Sequence, residues 1–196
     1  MANIDSSNGY EEVAAHYLAG RGHAVGGIGA ATVAEWSRTL PPAATVLDLG
    51  CGPGVPISQV LIERGFHVYG VDASPTMVAA FRDQFPGVPV ECAAVEYSDF
   101  FGKKFDAVVS VGLFFLLDEQ AQLQLIAQIA RALQSGGRLL FTAPKQICSW
   151  TDGMTDRTSF GLGFDAYRDA LEKNGVSLVG TQVDEGENHY YLGLKT

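Results

Sequence analysis

Residues 46–54 read Val-Leu-Asp-Leu-Gly-Cys-Gly-Pro-Gly: a short apolar run carrying one acidic residue, Asp48, then glycines at 50, 52 and 54. Twenty-two positions after Gly50, Asp72 closes a second apolar run, Val68-Tyr69-Gly70-Val71. A strand that breaks into a glycine-rich turn and opens a helix lets backbone approach a ligand closely, because no Cβ stands in the way. An acidic residue at the end of the following strand is placed to accept hydrogen bonds from a ribose diol. The pair points to a ligand carrying an adenosyl-like ribose.

The glycine spacing narrows the choice. A dinucleotide fingerprint has its third glycine three places after the second, whereas here Gly54 follows Gly52 by two. A P-loop is excluded because no Gly-Lys-Ser/Thr follows the turn. Asp48 would be a poor neighbour for a pyrophosphate and suits a cationic, phosphate-free ligand. With Asp72-Ala73-Ser74 behind it, Asp48-Leu49-Gly50-Cys51-Gly52-Pro53-Gly54 resembles the class I S-adenosylmethionine-dependent methyltransferases. The resemblance rests on motif over residues 43–143 and on element order alone outside them. It implies S-adenosylmethionine as cofactor and a Rossmann-like, doubly wound α/β sheet, mostly parallel with a C-terminal antiparallel hairpin, in the order 3-2-1-4-5-7-6.

Working outward, the hydrophobic periods support that architecture. The stretch 10–20 reads as a helix with Tyr10, Val13, Ala14, Tyr17 and Leu18 on one face. A glycine-rich loop over 20–29 follows, and a second helix over 30–40 is stopped by Pro41-Pro42. Strands are expected at 44–49, 67–71, 88–94, 105–110 and 138–143. Between them lie helices opening near Pro56, at Ser74-Pro75 and over 118–133. A long loop over 146–163, a helix at 164–173 and strands at 176–183 and 189–195 complete the chain. The last two are joined by so short a turn that they must be antiparallel. Alternating strands and helices build a parallel sheet with ligands at the carboxyl ends of its strands. One domain over 1–196 is expected: 1–42 an N-terminal helical lid, 43–143 the cofactor-binding core, and 144–196 a substrate-side loop, helix and hairpin.

Composition excludes several classes. The 196 residues are 47% hydrophobic and 18% charged, with a net charge of −9 and no cluster of Lys or Arg beyond Lys103-Lys104. Such a chain repels phosphate backbones and anionic bilayers, so neither nucleic acid nor membrane is expected as partner. Cys51, Cys92 and Cys148 have no C-x-x-C spacing, so no metal site is expected, and free thiols suit a reducing compartment. The first residues lack the basic and apolar regions of a signal peptide, and a cytoplasmic location is expected.

What the resemblance implies for the site is specific. Asp48, Gly50, Cys51, Gly52 and Gly54 would cradle the methionyl and ribose parts, with Asp72 on the ribose hydroxyls. Ala73, Met77, Val95 and Glu96 would flank the adenine, and Ser110 would face the methionine end. Relatives often carry an Asp where this chain has Ala94, and often a histidine where it has Leu113-Phe114-Phe115-Leu116, expected here as an apolar wall. Tyr10 and Tyr17 read as a lid whose rings face the sulfonium, with Tyr17 the catalytic candidate of the two. Arg21 is a candidate partner for the cofactor carboxylate. Because strand 176–183 runs parallel to the others, the turn after it opens on the ligand edge. His189 is therefore a candidate base, with Glu187 and Asn188 on the substrate side. Trp150 and Asp152, in the long loop, are candidate substrate covers.

Methyl transfer to a small molecule is the reading these residues favour, since the phenylalanine-rich wall suits a compact acceptor. A small protein side chain or nucleotide as acceptor stays open, as does a non-catalytic protein that binds S-adenosylmethionine or S-adenosylhomocysteine and regulates. A nicotinamide-dependent dehydrogenase is disfavoured by the glycine spacing.

Overall fold

The computed structural model describes residues 6–20 and 27–196. Arg21 lies outside them. Two helices, α1 (Tyr10–Gly20) and α2 (Ala30–Ser37), precede the first strand. The core then alternates: β1 (Thr45–Leu49), α3 (Ile57–Glu63), β2 (His67–Asp72), α4 (Pro75–Gln84), β3 (Val90–Cys92), β4 (Phe105–Ser110), α5 (Glu119–Ala132) and β5 (Leu133–Thr142). A hairpin of β6 (Ile147–Thr151) and β7 (Thr158–Leu162) leads into α6 (Phe164–Lys173), β8 (Val176–Val183) and β9 (His189–Lys195).

Seven strands form one sheet in the order β3-β2-β1-β4-β5-β9-β8. The first five are parallel, and β9 enters antiparallel between β5 and β8. Counted within the sheet, this is the expected 3-2-1-4-5-7-6. β8 pairs only with β9, so it points the same way as β5 and delivers the turn 184–188 to the ligand edge.

Neighbouring residues along each strand point to opposite faces, and both faces are covered. On one face Leu47, Leu49, Val108, Phe141 and Tyr191 pack with Ile126 and Ile129 of α5 and Tyr167 of α6. On the other, Val46, Ala107, Val109, Leu140 and Tyr190 pack with Trp36 of α2 and Leu61 of α3. Each fully buried Val, Leu, Ile or Phe among them contributes about 1.5–3 kcal/mol. Helix starts follow sequence chemistry. Ser74 Oγ accepts from Met77 N at 3.2 Å with Pro75 in the first turn, and Asp118 Oδ1 accepts from Ala121 N at 2.8 Å.

The differences from expectation are local. The stretch 146–163 is not an open loop but contains the β6–β7 hairpin, which forms its own two-stranded sheet. Every residue of β6 is exposed, so no apolar alternation marks it in the sequence. β3 is three residues rather than seven, α2 stops at Ser37, and β5 begins at Leu133 with a register shift against β4. Among the described residues no helix is long and apolar enough to cross a membrane, and no group of three or more metal-ligating side chains occurs.

Candidate cofactor and acceptor site

A cavity of about 440 Å³ opens at the carboxyl ends of β1, β2 and β4 and is roofed by α1. Its floor is the glycine turn. β1 ends in Leu49, and Gly50 and Gly52 adopt positive φ of 70° and 53°. A Cβ on Gly52 would meet no atom within 4 Å, so its bare backbone faces open space. This is the surface a ligand could approach closely.

Asp72 closes one side. Its Oδ2 accepts from Gly52 N and its Oδ1 from Ser74 N, both at 2.8 Å. Each carboxylate oxygen keeps a second lone pair for a ligand hydroxyl. Asp72 faces the cavity yet lies deep in the fold, and burial raises its pKa. Hydrogen bonds from Ser74 and Gly52 pull the other way, and the nearby Glu11 adds to the rise. Ala73, Met77, Val95 and Glu96 line the same side, with Met77 and Val95 also buried in the core. Cys51 lines the floor, and burial pushes its thiol well above the ordinary range. Ala94 sits on the wall and offers no polar group.

The far wall is apolar. Val111, Leu113, Phe115 and Leu116 line it, whereas Phe114 turns into the core and stacks on Phe141 at 4.3 Å. Tyr10 and Tyr17 both face the cavity from α1, their rings edge to face at 6.3 Å and 69°. Asn188 lines the rim, with Gly186 and Ile28 beside it.

Five expected contacts fall elsewhere, each for a visible reason. Asp48 is buried behind the turn, where Ser58 Oγ donates to its Oδ2 at 2.6 Å. Burial, opposed by that hydrogen bond and reinforced by Asp72, brings its pKa up to about 7. Gly54 packs under α4, since a Cβ there would come within 2.5 Å of the Phe85 ring. Ser110 is buried, its hydroxyl donating to the Leu49 carbonyl at 3.0 Å. Glu187 is exposed at the tip of the β8–β9 turn with φ 62°. His189 is not on the cavity wall. Its ring rests edge-on against Tyr191 at 4.9 Å, and burial, with Lys145 nearby, holds its pKa below the ordinary imidazole value. A base must come within hydrogen-bond reach of its target, so a general-base role is not carried forward.

The two cover residues act at a distance from the cavity. Trp150 backs Phe115, ring to ring at 5.4 Å. Asp152 is buried and braces the hairpin's own turn, accepting from Met154 N, Thr155 N and the Thr155 hydroxyl.

Sequence reasoning missed three groups. Ser6, Ser7 and Asn8, ahead of α1, line the cavity. Glu11 fastens α1 to the start of α4, accepting from the hydroxyls of Ser74 and Thr76 and from Thr76 N. An acidic residue in the first turn of one helix and a Ser-Pro-Thr start of another were the available signal, but nothing local pairs them across more than sixty residues of chain. Asp184 organises the rim turn: its carboxylate accepts from Gly186 N, Asn188 N, the Asn188 amide and the Tyr190 hydroxyl.

A seven-stranded sheet with one antiparallel strand inserted, a bare glycine turn after β1 and a carboxylate at the end of β2 are the frame of the site. Residues 46–137, just under half of the chain, match the family model described as a methyltransferase domain. The chain is 32% identical over 117 residues to a tRNA U34 carboxymethyltransferase of Cellvibrio japonicus (strain Ueda107), covering 54% of this chain and 36% of that one. With a cypemycin N-terminal methyltransferase from Streptomyces sp it shares 41% over 96 residues, 47% of this chain and 39% of the relative. The chain thus spans well under half the length of these curated relatives. The crystal structure of magnesium protoporphyrin IX methyltransferase from Synechocystis PCC 6803 with bound SAM superposes with a TM-score of 0.72 at 18% identity. It covers the whole of both chains, which shows the shared fold.

Proposed function

We propose that this chain transfers the methyl group of S-adenosylmethionine to a small-molecule acceptor by in-line displacement. The observation that carries the reading is the cavity itself. At about 440 Å³ it falls in the range of small-molecule sites. One end offers bare backbone and a carboxylate, and the other an aromatic and aliphatic wall. The cofactor supplies an electrophilic methyl on a sulfonium, so the protein's work is positioning and exclusion of water. In this reading Asp72 holds the ribose hydroxyls, and Gly50 and Gly52 support the ribose and methionyl parts. Ala73, Met77 and Val95 flank the base, with Glu96 within reach of its edge. Tyr10 and Tyr17 present ring surface to the sulfonium, because cations are attracted to aromatic faces.

A small acceptor is favoured over RNA because no Lys or Arg lines the cavity among the described residues and the net charge is −9. Titration calorimetry with S-adenosylhomocysteine, followed by a labelled-methyl assay on cell extract split into small molecules and macromolecules, tests this. Binding with label in the small-molecule fraction supports it. Label confined to RNA or protein overturns it.

A further inference from the structure

We infer that the acceptor is an amine or a ring nitrogen carried on a compact apolar or aromatic body, an inference that rests on the proposed methyl transfer. Three features converge on it. The first is the charge of the cavity. Among the described residues its wall holds two carboxylates, Asp72 and Glu96, and no Lys, Arg or His. Glu11, bonded to Ser74 and Thr76, is near enough to Asp72 to add to the rise in its pKa.

The second is the rim. The β8–β9 turn that brings Gly186 and Asn188 to the cavity also carries Asp184, Glu185 and Glu187, the two glutamates exposed. Asp184 is held ionised. Burial pushes its pKa up, but hydrogen bonds from Asn188, Tyr190 and Gly186 outweigh that and leave it below the ordinary carboxylate value. Like charges lining a mouth raise the local concentration of opposite charge, here ammonium groups, and repel carboxylates, phosphates and phenolates.

The third is the acceptor-side surface. Tyr10, Tyr17 and Phe115 face the cavity, and Trp150 backs Phe115. Aromatic faces hold cations and flat rings alike. An anion gains nothing from them.

The bond changes select the same class. An ammonium first loses its proton to water. The free nitrogen lone pair then forms the new C–N bond as the C–S bond breaks, and the electrons of that bond stay on sulfur as a thioether. A positive charge present on sulfur at the start is present on nitrogen at the end, and the product sheds a proton to solvent where it carries one. Because the charge moves and is never cancelled, carboxylates around the cavity favour reactant, transition state and product. An anionic oxygen acceptor would instead bring a charge of the carboxylates' own sign into the cavity and be repelled before the step begins.

The test uses the whole chain and three size-matched panels: primary, secondary and ring-nitrogen amines; neutral alcohols and phenols; carboxylates and phosphate esters. Calorimetry with S-adenosylhomocysteine comes first, and absence of binding overturns the methyltransferase reading and this one with it. With binding established, the amine panel should bind the S-adenosylhomocysteine complex at least tenfold more tightly than its oxygen counterparts and be the panel that gains labelled methyl. Preferential binding or methylation of the alcohols, phenols or anions overturns the inference while leaving the methyltransferase reading intact. So does an S-adenosylhomocysteine complex that binds no amine. For the best amine, the double variant Glu185→Gln, Glu187→Gln should raise KM about three- to tenfold at low salt with kcat unchanged, and the difference should fade as ionic strength rises. An unchanged KM at low salt overturns the role of the rim.

Discussion

Asp72→Asn separates two jobs that one carboxylate performs. The wild-type side chain accepts from Gly52 N and Ser74 N, one on each oxygen, and has lone pairs left for two ribose hydroxyls. Asparagine keeps the shape but turns one acceptor into a donor, which must then face one of those N–H groups. A backbone donor left without an acceptor costs about 1–3 kcal/mol. For a domain of this size that corresponds to a loss of roughly 2–12 °C in the ligand-free melting temperature. The ribose contact is a second quantity. Losing a charge-assisted hydrogen bond costs about 1.5–3 kcal/mol, or about tenfold to a hundredfold in affinity for S-adenosylhomocysteine. Calorimetry at a temperature where both proteins are folded reads the second effect, and a melt reads the first. A ligand analogue lacking one ribose hydroxyl completes a cycle: the wild type should lose affinity for it, and the variant should lose little more. A folded Asp72→Asn protein with unchanged affinity, or losses that simply add, would refute the ribose assignment.

Three further outcomes follow from the same coordinates. Asp48 has a folded pKa of about 7 against an unfolded value near 4, so its contribution is greatest below pH 4 and is lost as pH rises to 7. Asp48→Asn, which keeps an oxygen for Ser58, should flatten stability between pH 4 and 7 and raise it at pH 8 by up to about 4 kcal/mol, as urea melts at several pH values would register. Gly52→Val should abolish S-adenosylhomocysteine binding while far-ultraviolet circular dichroism stays native-like, because the side chain would project into open cavity from a backbone with φ 53°; normal binding would mean the turn is not the cradle. Glu11→Ala removes the acceptor of three hydrogen bonds from α4, and hydrogen exchange over residues 6–20 should accelerate at least tenfold with the core strands unaffected.

Much of the fold was legible because the signals are local. The run 105–110 is buried on both faces, Ser74-Pro75 starts a helix by its own chemistry, and the short turn after 183 forces an antiparallel pair. The glycine turn and Asp72, legible from one short motif and its spacing, line the cavity as expected. What escaped depends on distance. Asp48 and Gly54 belong to the motif by sequence, but one is buried under Ser58 and the other under Phe81 and Phe85, partners that no spacing reveals. His189 lies at the edge expected for it, but the strand period puts its ring on the face of Tyr191, two residues on, and off the cavity wall. The β6–β7 hairpin carries an exposed strand, so it lacks the apolar alternation by which strands are recognised.

The position of β9 bears on how the protein is made. Of the seven sheet strands it is translated last, yet it lies between β5 and β8, not at an edge. Until residues 189–195 leave the ribosome, β5 and β8 have no common partner, and the faces of Phe141, Phe164 and Tyr167 that meet Tyr191 stay uncovered. The nascent chain therefore carries an open strand edge and a bare aromatic patch for the time it takes to synthesise some fifty residues after β5. Such surfaces invite association between unfinished chains. A chain stopped before His189 would keep its glycine turn and Asp72 but be a target for chaperones or proteases.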